Sequence, residues 1–151
     1  MTAVEPEQHP GHLASAIGGL AAIFRRRLGE RLSHEQWVID AGLRPHCYGA
    51  LIWVDRLEPV SQKEISDKLN LDPSDMVAVV DILEQAGFAA RQRDPEDRRR
   101  YSLTLTAAGR RALRRLNLVA ADVQDEILAP LGARDRATFE RLVQRILAHH
   151  L

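Results

Sequence analysis

Apolar residues recur every three to four positions in six stretches of this chain, and that period predicts six helices. The stretches run over residues 12–32, 46–57, 61–69, 72–85, 106–128 and 133–150. Between the fourth and fifth stretches, residues 100–105 alternate polar with apolar, which is the period of a β-strand. The pattern therefore predicts a mainly α fold with a small β-ribbon, preceded by a flexible arm over residues 1–11.

Helix-boundary signals divide the middle of the chain. Ser61 and Glu64 form a capping box, in which each side chain satisfies a free backbone N–H of the other residue. Asp72 is placed to cap the next helix, with Pro73 as its first residue. Gly87 follows the end of that helix, where a left-handed conformation is needed. Two helices joined by a short turn and followed by a ribbon are the order of elements in a DNA-binding winged helix.

The ribbon carries much of the positive charge of the chain. Six of the 19 arginines fall between Arg91 and Arg110, around a tight turn. The alternation of the second strand places Tyr101, Leu103 and Leu105 against the helices. A narrow ribbon with arginines at its tip has the shape and charge to enter a groove of a nucleic acid.

The chain as a whole has no net charge, but its charges are unevenly distributed. From residue 91 to residue 115, nine arginines against three acidic residues leave a local charge of +6. Because local potential matters more for groove binding than total charge, nucleic acid remains the expected partner.

The expected location is the cytoplasm, with no membrane partner. No apolar run approaches the ~20 residues of a membrane span, and the first residues do not resemble a signal peptide. A single cysteine, Cys47, fits a reducing compartment.

The long helix that begins after Thr106 carries an apolar seam at heptad-like spacing. The seam consists of Leu113, Leu116, Ala120, Val123 and Ile127. Such a seam suits a partner helix. A helix of about 23 residues spans ~34 Å, which is the distance between the two halves of a palindromic DNA site. We therefore expect a homodimer. The alternative is a monomer that buries the seam against its own N-terminal helix.

Several groups of spaced residues resemble the MarR family of bacterial transcriptional regulators, which are dimeric winged-helix proteins. The groups are Ser61-Gln-x-Glu64-Ile65-Ser-x-x-Leu69, Leu83-Glu84-x-x-Gly87-Phe-x-x-Arg91, Asp94-Pro-x-Asp97-Arg98-Arg99 and Leu103-x-Leu105-Thr106-x-x-Gly109. The resemblance covers nearly the whole chain. It implies a winged helix-turn-helix domain over residues 45–115, between an N-terminal dimerisation region over 12–44 and C-terminal dimerisation helices over 116–151.

The resemblance also implies roles for side chains of the wing. Arg99 matches the wing-tip arginine that enters the minor groove, and Asp97 matches the aspartate that braces the wing by pairing with an arginine. Arg98 would serve a phosphate or that bracing pair. The full set of expected DNA-binding residues is Ser61, Gln62, Ser74, Asp75, Ala78, Arg91, Arg98, Arg99 and Arg100. The alternative is that these arginines are solvated turn charges.

The helix predicted over residues 72–85 departs from many relatives, because it has four acidic residues and no lysine or arginine. Its core stripe of Met76, Val79, Val80 and Leu83 leaves the opposite face for DNA. We expect Ser74 to reach the major groove, Asp75 to accept a hydrogen bond from a cytosine amino group, and Ala78 to contact a thymine methyl. Base readout would then be sparse, and groove shape would supply part of the specificity.

MarR-type proteins commonly sense small aromatic acids or other phenolics in a cleft between the dimerisation helices and the winged helix. The candidates for lining this effector cleft are His12, His34, Trp37, His46, Tyr48 and Trp53. The competing interpretation is that each is an ordinary core or surface residue, as aromatic residues at helical spacing usually are.

Other chemistry has little support in the sequence. Cys47 follows His46, whose imidazolium would favour a thiolate, but adjacent residues on a helix do not face each other. The six histidines have no metal-ligand spacing, so we expect no metal and no other cofactor. The chain lacks a glycine-rich phosphate loop, a nucleophile elbow and an HExxH motif, so we expect that it is not an enzyme.

The expected function is sequence-specific DNA binding at a pseudo-palindromic operator, as a transcriptional repressor released by a small aromatic or phenolic ligand. The alternative is a winged-helix protein–protein interaction scaffold without DNA binding, whose acidic helix over residues 72–85 faces a basic partner.

Overall fold

The computed structural model describes residues 11–93, 97 and 101–150. In chain order, its elements are α1 His12–Leu32, α2 Gln36–Asp40, α3 Pro45–Leu57, β1 Val60–Ser61, α4 Gln62–Leu69, α5 Pro73–Gln85, β2 Ala89–Arg93, β3 Tyr101–Leu105, α6 Ala107–Leu128 and α7 Ala133–His150. The predicted mainly α fold with a small β-wing is confirmed. The expected arm over residues 1–11 lies almost entirely outside the described residues.

Two short elements were not predicted from the sequence. Helix α2 has five residues and strand β1 has two, so neither is long enough to show a period. In β1, Val60 pairs with Leu103 of β3, and both residues are buried. The strand therefore attaches the start of α4 to the wing.

The three strands form one antiparallel sheet in the order β1-β3-β2. Leu103 and Leu105 of the central strand are buried, as the alternation predicted. Tyr101 was expected to be buried as well, and that prediction was wrong because its ring is 45% exposed. Tyr101 pairs with Arg93 at the outer end of β3, where the ribbon extends beyond the helices, and the Arg93 guanidinium lies 5.9 Å from the Tyr101 ring centroid.

The main core forms where α3, α4 and α5 meet the sheet and the start of α6. The predicted stripe of α5 is confirmed, because all four of its residues are buried. Leu51 and Val54 of α3 lie at the centre of this core with no exposed surface. The helices are thus held on one side of the wing, and the opposite face of α5 is left to solvent.

Helix α6 buries its apolar seam within the chain itself. Leu113 and Leu116 belong to the main core, whereas Ala120 and Val123 pack against Leu28 of α1. The inference that this seam needs a partner helix was wrong, because the same chain buries it: the main core covers its first half and α1 its second half. The boundary expected between residues 115 and 116 falls inside α6, which is one continuous helix.

The apolar residues that do remain uncovered lie mainly on the terminal helices. On α1, Leu13 is 73% and Ile17 is 60% exposed, and on α7 Ile146 is 60% exposed. Leu20, Ile23, Leu142 and Leu147 add to the same two helices. Over the described residues, no helix combines the length and the apolar character required to cross a membrane.

Candidate nucleic-acid interface and cavity

The predicted caps are present at the starts of both α4 and α5. Ser61 Oγ accepts a hydrogen bond from the Glu64 N–H at 3.2 Å, and the Ser61 N–H donates to the Glu64 carboxylate at 2.9 Å. Asn70 ends α4 in the left-handed conformation, with φ of 50°. Asp72 then accepts from both the hydroxyl and the N–H of Ser74, at 2.5 and 2.8 Å, and these bonds lower the pKa of Asp72.

The outward face of α5 presents the residues that were predicted to meet DNA. Ser74, Asp75 and Ala78 are all exposed. The structure adds Val77, which is 44% exposed and was missed because it falls between the core stripe and the predicted outer face. Looking for basic side chains on this helix does not identify Val77, because valine has no charge. The exposure of an apolar side chain is visible only once the packing is known.

Arg91 joins the wing to α5. Its guanidinium lies 2.8 Å from the Asp81 carboxylate and 2.5 Å from that of Glu84, and its backbone N–H donates to Glu84 at 3.1 Å. The guanidinium also donates to Gln62 Oε1 at 3.5 Å. Arg91 and Gln62 were expected to contact DNA, but these bonds give both side chains a place in holding α4, α5 and β2 together.

The tip of the wing is only partly described. Asp97 is exposed, and the arginines that surround it in the sequence, Arg98, Arg99 and Arg100, lie outside the described residues together with Asp94 and Glu96. The minor-groove role of Arg99 and the bracing role of Asp97 therefore stay predictions. The base of the wing carries Arg93, whose side chain is exposed beside Tyr101.

The junction between wing and α6 leaves no room for a side chain at residue 109. Thr106 caps α6 by accepting from the Gly109 N–H at 2.9 Å, and the backbone N–H of Thr106 donates to the Phe88 carbonyl at 3.0 Å. A Cβ at Gly109 would lie 2.8 Å from the Phe88 carbonyl carbon and overlap its oxygen. The glycine allows the α6 start to lie directly against the backbone that follows α5.

Ion pairs at the end of α3 hold the same junction. Glu58 accepts a hydrogen bond from the Leu105 N–H at 2.7 Å and pairs with Arg110, which also binds Asp55 at 2.8 Å. Burial alone would raise the pKa of Glu58, but the Leu105 N–H and the Arg110 guanidinium outweigh it, and the pKa lies below the ordinary value of 4.5. The end of α3, the end of β3 and the start of α6 are therefore held as one unit.

A cavity of about 440 Å³ lies between α1, α3 and α6, beside the segment that contains α2. Its lining is mostly apolar and also includes one arginine, one tyrosine and one serine. The lining residues are Gly29, Leu32, Ser33, Val38, Ile39, Gly42, Leu43, Arg44, Pro45, Tyr48 and Leu116. A volume of this size is within the range of sites for small organic molecules.

Of the six residues predicted for an effector cleft, only Tyr48 lines this cavity. Trp37 donates to Glu35 at 3.0 Å and lies under Arg115, whereas Trp53 lies between Arg56 and Lys68, so both rings are engaged with cations at the surface. The other three, His12, His34 and His46, are exposed and away from the cavity lining. Aromatic identity alone could not separate residues that face the cavity from those that face solvent.

The cavity also contains a basic residue that the sequence analysis overlooked. Arg44 precedes Pro45 at the start of α3, and both line the cavity. One turn further along α3, the Tyr48 hydroxyl donates to Asn117 Oδ1 of α6 at 2.9 Å, and burial raises the pKa of Tyr48. A cation and a neutral phenol beside an apolar cavity suit a ligand with a carboxylate and a ring.

Comparisons with known proteins agree with this geometry. The model of the MarR family matches residues 47–101, which span α3 to the start of β3. A candidate transcriptional regulatory protein for the hcr operon of Thauera aromatica is 29% identical over 140 residues, which cover 90% of this chain and 81% of that protein. The chain therefore resembles regulators of the MarR family, most clearly over residues 47–101.

Solved structures of MarR proteins share the whole fold. The ligand-free MarR of Escherichia coli superposes with a TM-score of 0.77 at 21% identity, over 93% of this chain and 99% of that one. A MarR family protein of Mycobacterium tuberculosis in complex with salicylic acid gives a TM-score of 0.74 at 25% identity, over 93% of this chain and 98% of that one. The chain therefore has the winged-helix fold of MarR regulators, and the relatives that it matches are transcriptional regulators and not enzymes.

The positive charge of this chain near the wing is lower than a count along the sequence indicates. Arg91 is paired with two carboxylates of α5, and Arg110 is paired with two at the end of α3. All four carboxylates lie outside residues 91–115, so the local +6 overestimated the charge available to phosphates. Among the described residues of this segment, Arg93, Arg111, Arg114 and Arg115 are exposed and remain to supply it.

Thiol and metal chemistry gain no support from the structure. Cys47 is only 1% exposed, and burial raises the pKa of its thiol despite the nearby Arg44 backbone N–H. A raised pKa disfavours the thiolate that a redox switch requires. Within the residues that the structure describes, no group of histidine, cysteine and acidic side chains could hold a metal ion.

Proposed function

We propose that this protein is a homodimeric repressor that binds a pseudo-palindromic operator and is released by a small aromatic acid. The observation that carries the proposal is the placement of α5, whose outward face is free while Arg91 holds its inner end against the wing. A rigid helix beside an arginine-bearing ribbon is suited to the major groove with the wing in the adjacent minor groove.

The apolar residues of α1 and α7 support the dimer. Seven large apolar residues on these two helices are at least 36% exposed, and exposed apolar patches mark interaction surfaces. Both helices lie at the ends of the chain. A two-fold interface formed by α1 and α7 would leave α5 free on each protomer. Helix α6 has 22 residues and so spans about 33 Å, close to one turn of DNA.

The cavity supports the release by ligand. It lies between α1 and the winged helix, and α6 connects its wall to the wing. Salicylic acid, which the Mycobacterium tuberculosis relative binds, combines a ring with a carboxylate. Arg44 would bind the carboxylate, and Tyr48 together with the apolar lining residues would contact the ring.

The DNA test is fluorescence anisotropy with operator DNA selected from a random-sequence library and a scrambled duplex as control, at two salt concentrations. A regulator binds the operator more tightly, and its affinity falls with salt by a slope of about 0.9 per phosphate neutralised. A protein–protein scaffold binds neither duplex at low salt. That outcome would refute the proposal.

The ligand test adds salicylate to the operator complex. We expect release at millimolar or lower ligand, with Arg44→Ala raising the concentration required at least fivefold. His46→Ala is the matched control, because His46 is two residues away and does not line the cavity. Equal effects of the two variants, or no release by any of a set of aromatic acids, would contradict the effector role of the cavity.

A further inference from the structure

Val77 and Ala78 form an exposed apolar patch at the centre of the outward face of α5. Ser74, Val77, Ala78 and Asp81 follow the spacing i, i+3, i+4, i+7 and therefore lie on one face of the helix. Val77 is 44% exposed although it is flanked by carboxylates, and the core stripe lies behind it. The side chains of the two central residues on this face are purely hydrocarbon.

The charges around this patch are largely engaged within the fold. Asp72 accepts both hydrogen bonds from Ser74, and Arg91 binds Asp81 and Glu84. Only Asp75, among the four carboxylates of this segment, has no hydrogen-bond or ion-pair partner in the described residues. The acidic helix is thus less repelled by phosphates than its sequence indicates, and it can approach the bases closely.

The first two turns of this face offer acceptors and methyl groups, but no side-chain donor. The Ser74 hydroxyl hydrogen is directed to Asp72 at 2.5 Å, which leaves the Ser74 oxygen as an acceptor. Guanine presents two acceptors in the major groove and needs a donor, so this surface cannot recognise it. Thymine presents a 5-methyl group, and adenine and cytosine present amino groups, which this surface can contact.

We propose that Val77 and Ala78 are specificity-determining residues that recognise thymine 5-methyl groups in each half of the operator. The inference rests on the proposed operator binding and names the chemistry by which α5 distinguishes bases. The half-site is accordingly rich in thymine where α5 lies, and guanine is excluded from the strand that Ser74 and Asp75 face.

The experiment replaces each thymine of the selected operator by deoxyuridine, which removes the methyl group and keeps base pairing. Removal of one buried methyl is expected to weaken binding about fourfold. We expect this loss at one or two positions of each half-site. The Val77→Ala variant should bind the unmodified operator about fourfold more weakly. It should lose its response to deoxyuridine only at the thymine that Val77 contacts.

The controls separate the possible failures. Val77→Ala places a better helix former at an exposed position, so the fold is retained. Leu118→Ala is the control, because it removes an exposed apolar side chain from α6 that does not line the cavity, and it should leave DNA affinity unchanged. Specific operator binding that no deoxyuridine substitution weakens would overturn this inference alone. Equal binding to operator and scrambled DNA would overturn operator recognition and this inference together.

Discussion

The guanidinium of Arg91 lies 2.8 Å from the carboxylate of Asp81, and this contact joins the first strand of the wing to α5. Glu84 completes the arrangement from one turn further along α5. Because the arginine is only 26% exposed, its charge is used inside the protein. Arg91 therefore orients α5 and the wing relative to each other, which would make it a positioning residue for the proposed DNA contacts.

Replacing Arg91 by alanine should weaken operator binding without changing its salt dependence. The variant loses the bonds that orient α5, and we expect the free energy of unfolding to fall by about 1–2 kcal/mol. The slope of log affinity against log salt should stay within error of the wild-type slope, because no phosphate contact is removed. A slope reduced by about one would show that Arg91 contacts a phosphate instead.

Arg99→Ala is the complementary variant at the wing tip. The resemblance to the family gives Arg99 a groove contact, so its loss should weaken operator binding tenfold or more and reduce the salt slope by about 0.9. Sedimentation should show an unchanged oligomer, and thermal unfolding an unchanged midpoint. Wild-type affinity in this variant would refute the wing-tip assignment.

Gly109→Ala should destabilise the protein by about 3 kcal/mol, because the new Cβ overlaps the backbone carbonyl of Phe88 and that carbonyl also binds Thr106. The measurement is urea unfolding followed by circular dichroism. Gly18→Ala is the matched control, because nothing lies within 4 Å of the same atom there. In a helix interior, that exchange should stabilise by about 0.5–1 kcal/mol. Equal effects would show that the close approach is relaxed in solution.

Acidification should weaken the junction that Glu58 forms with Leu105 and Arg110. The pKa of Glu58 is lowered in the folded protein, so its stabilising contribution is fully present above the ordinary value of 4.5 and is lost as the pH falls through the lower folded value. Glu58→Gln should therefore be less stable than wild type at pH 7, with the difference shrinking toward pH 3. A difference that stays constant with pH would contradict this assignment.

Charge introduced on the terminal helices should dissociate the proposed dimer. Ile17→Glu and Ile146→Glu place a carboxylate among the exposed apolar residues of α1 and α7, and each should yield a monomer at micromolar concentration in sedimentation velocity. Leu118→Glu is the control, because Leu118 is 69% exposed on α6 and belongs to neither terminal helix. A wild-type monomer at high concentration would exclude the dimer.

The sequence predicted those elements whose signals are local. The Ser61–Glu64 and Asp72–Pro73 caps depend on residues a few positions apart, and the structure contains both as expected. The α6 seam was misinterpreted because periodicity shows that a face is buried but not which helix buries it. Val77 and Arg44 were missed for the same reason, since the partners and the exposure of a side chain are set by distant parts of the chain.

The charge near the wing shows the same limit. Arg91 and Arg110 were counted as free cations because their partners lie on other elements. Asp81 is on α5, and Glu58 follows the end of α3. A count along the chain cannot include pairs that folding creates. It overestimates the electrostatic attraction of any protein whose basic segment packs against acidic helix ends.

Leu116 belongs both to the main core and to the cavity wall, with only 1% of its surface exposed. A substitution of Leu116 that reshapes the cavity also removes core packing. Few substitutions on the α6 side of the cavity are therefore compatible with folding. Ser33 and Ile39 line the same cavity but lie outside the core, and Ile39 is 54% exposed. Selection, or an engineer building a biosensor, can diversify the cavity from the α1–α2 side while leaving the foldable scaffold intact.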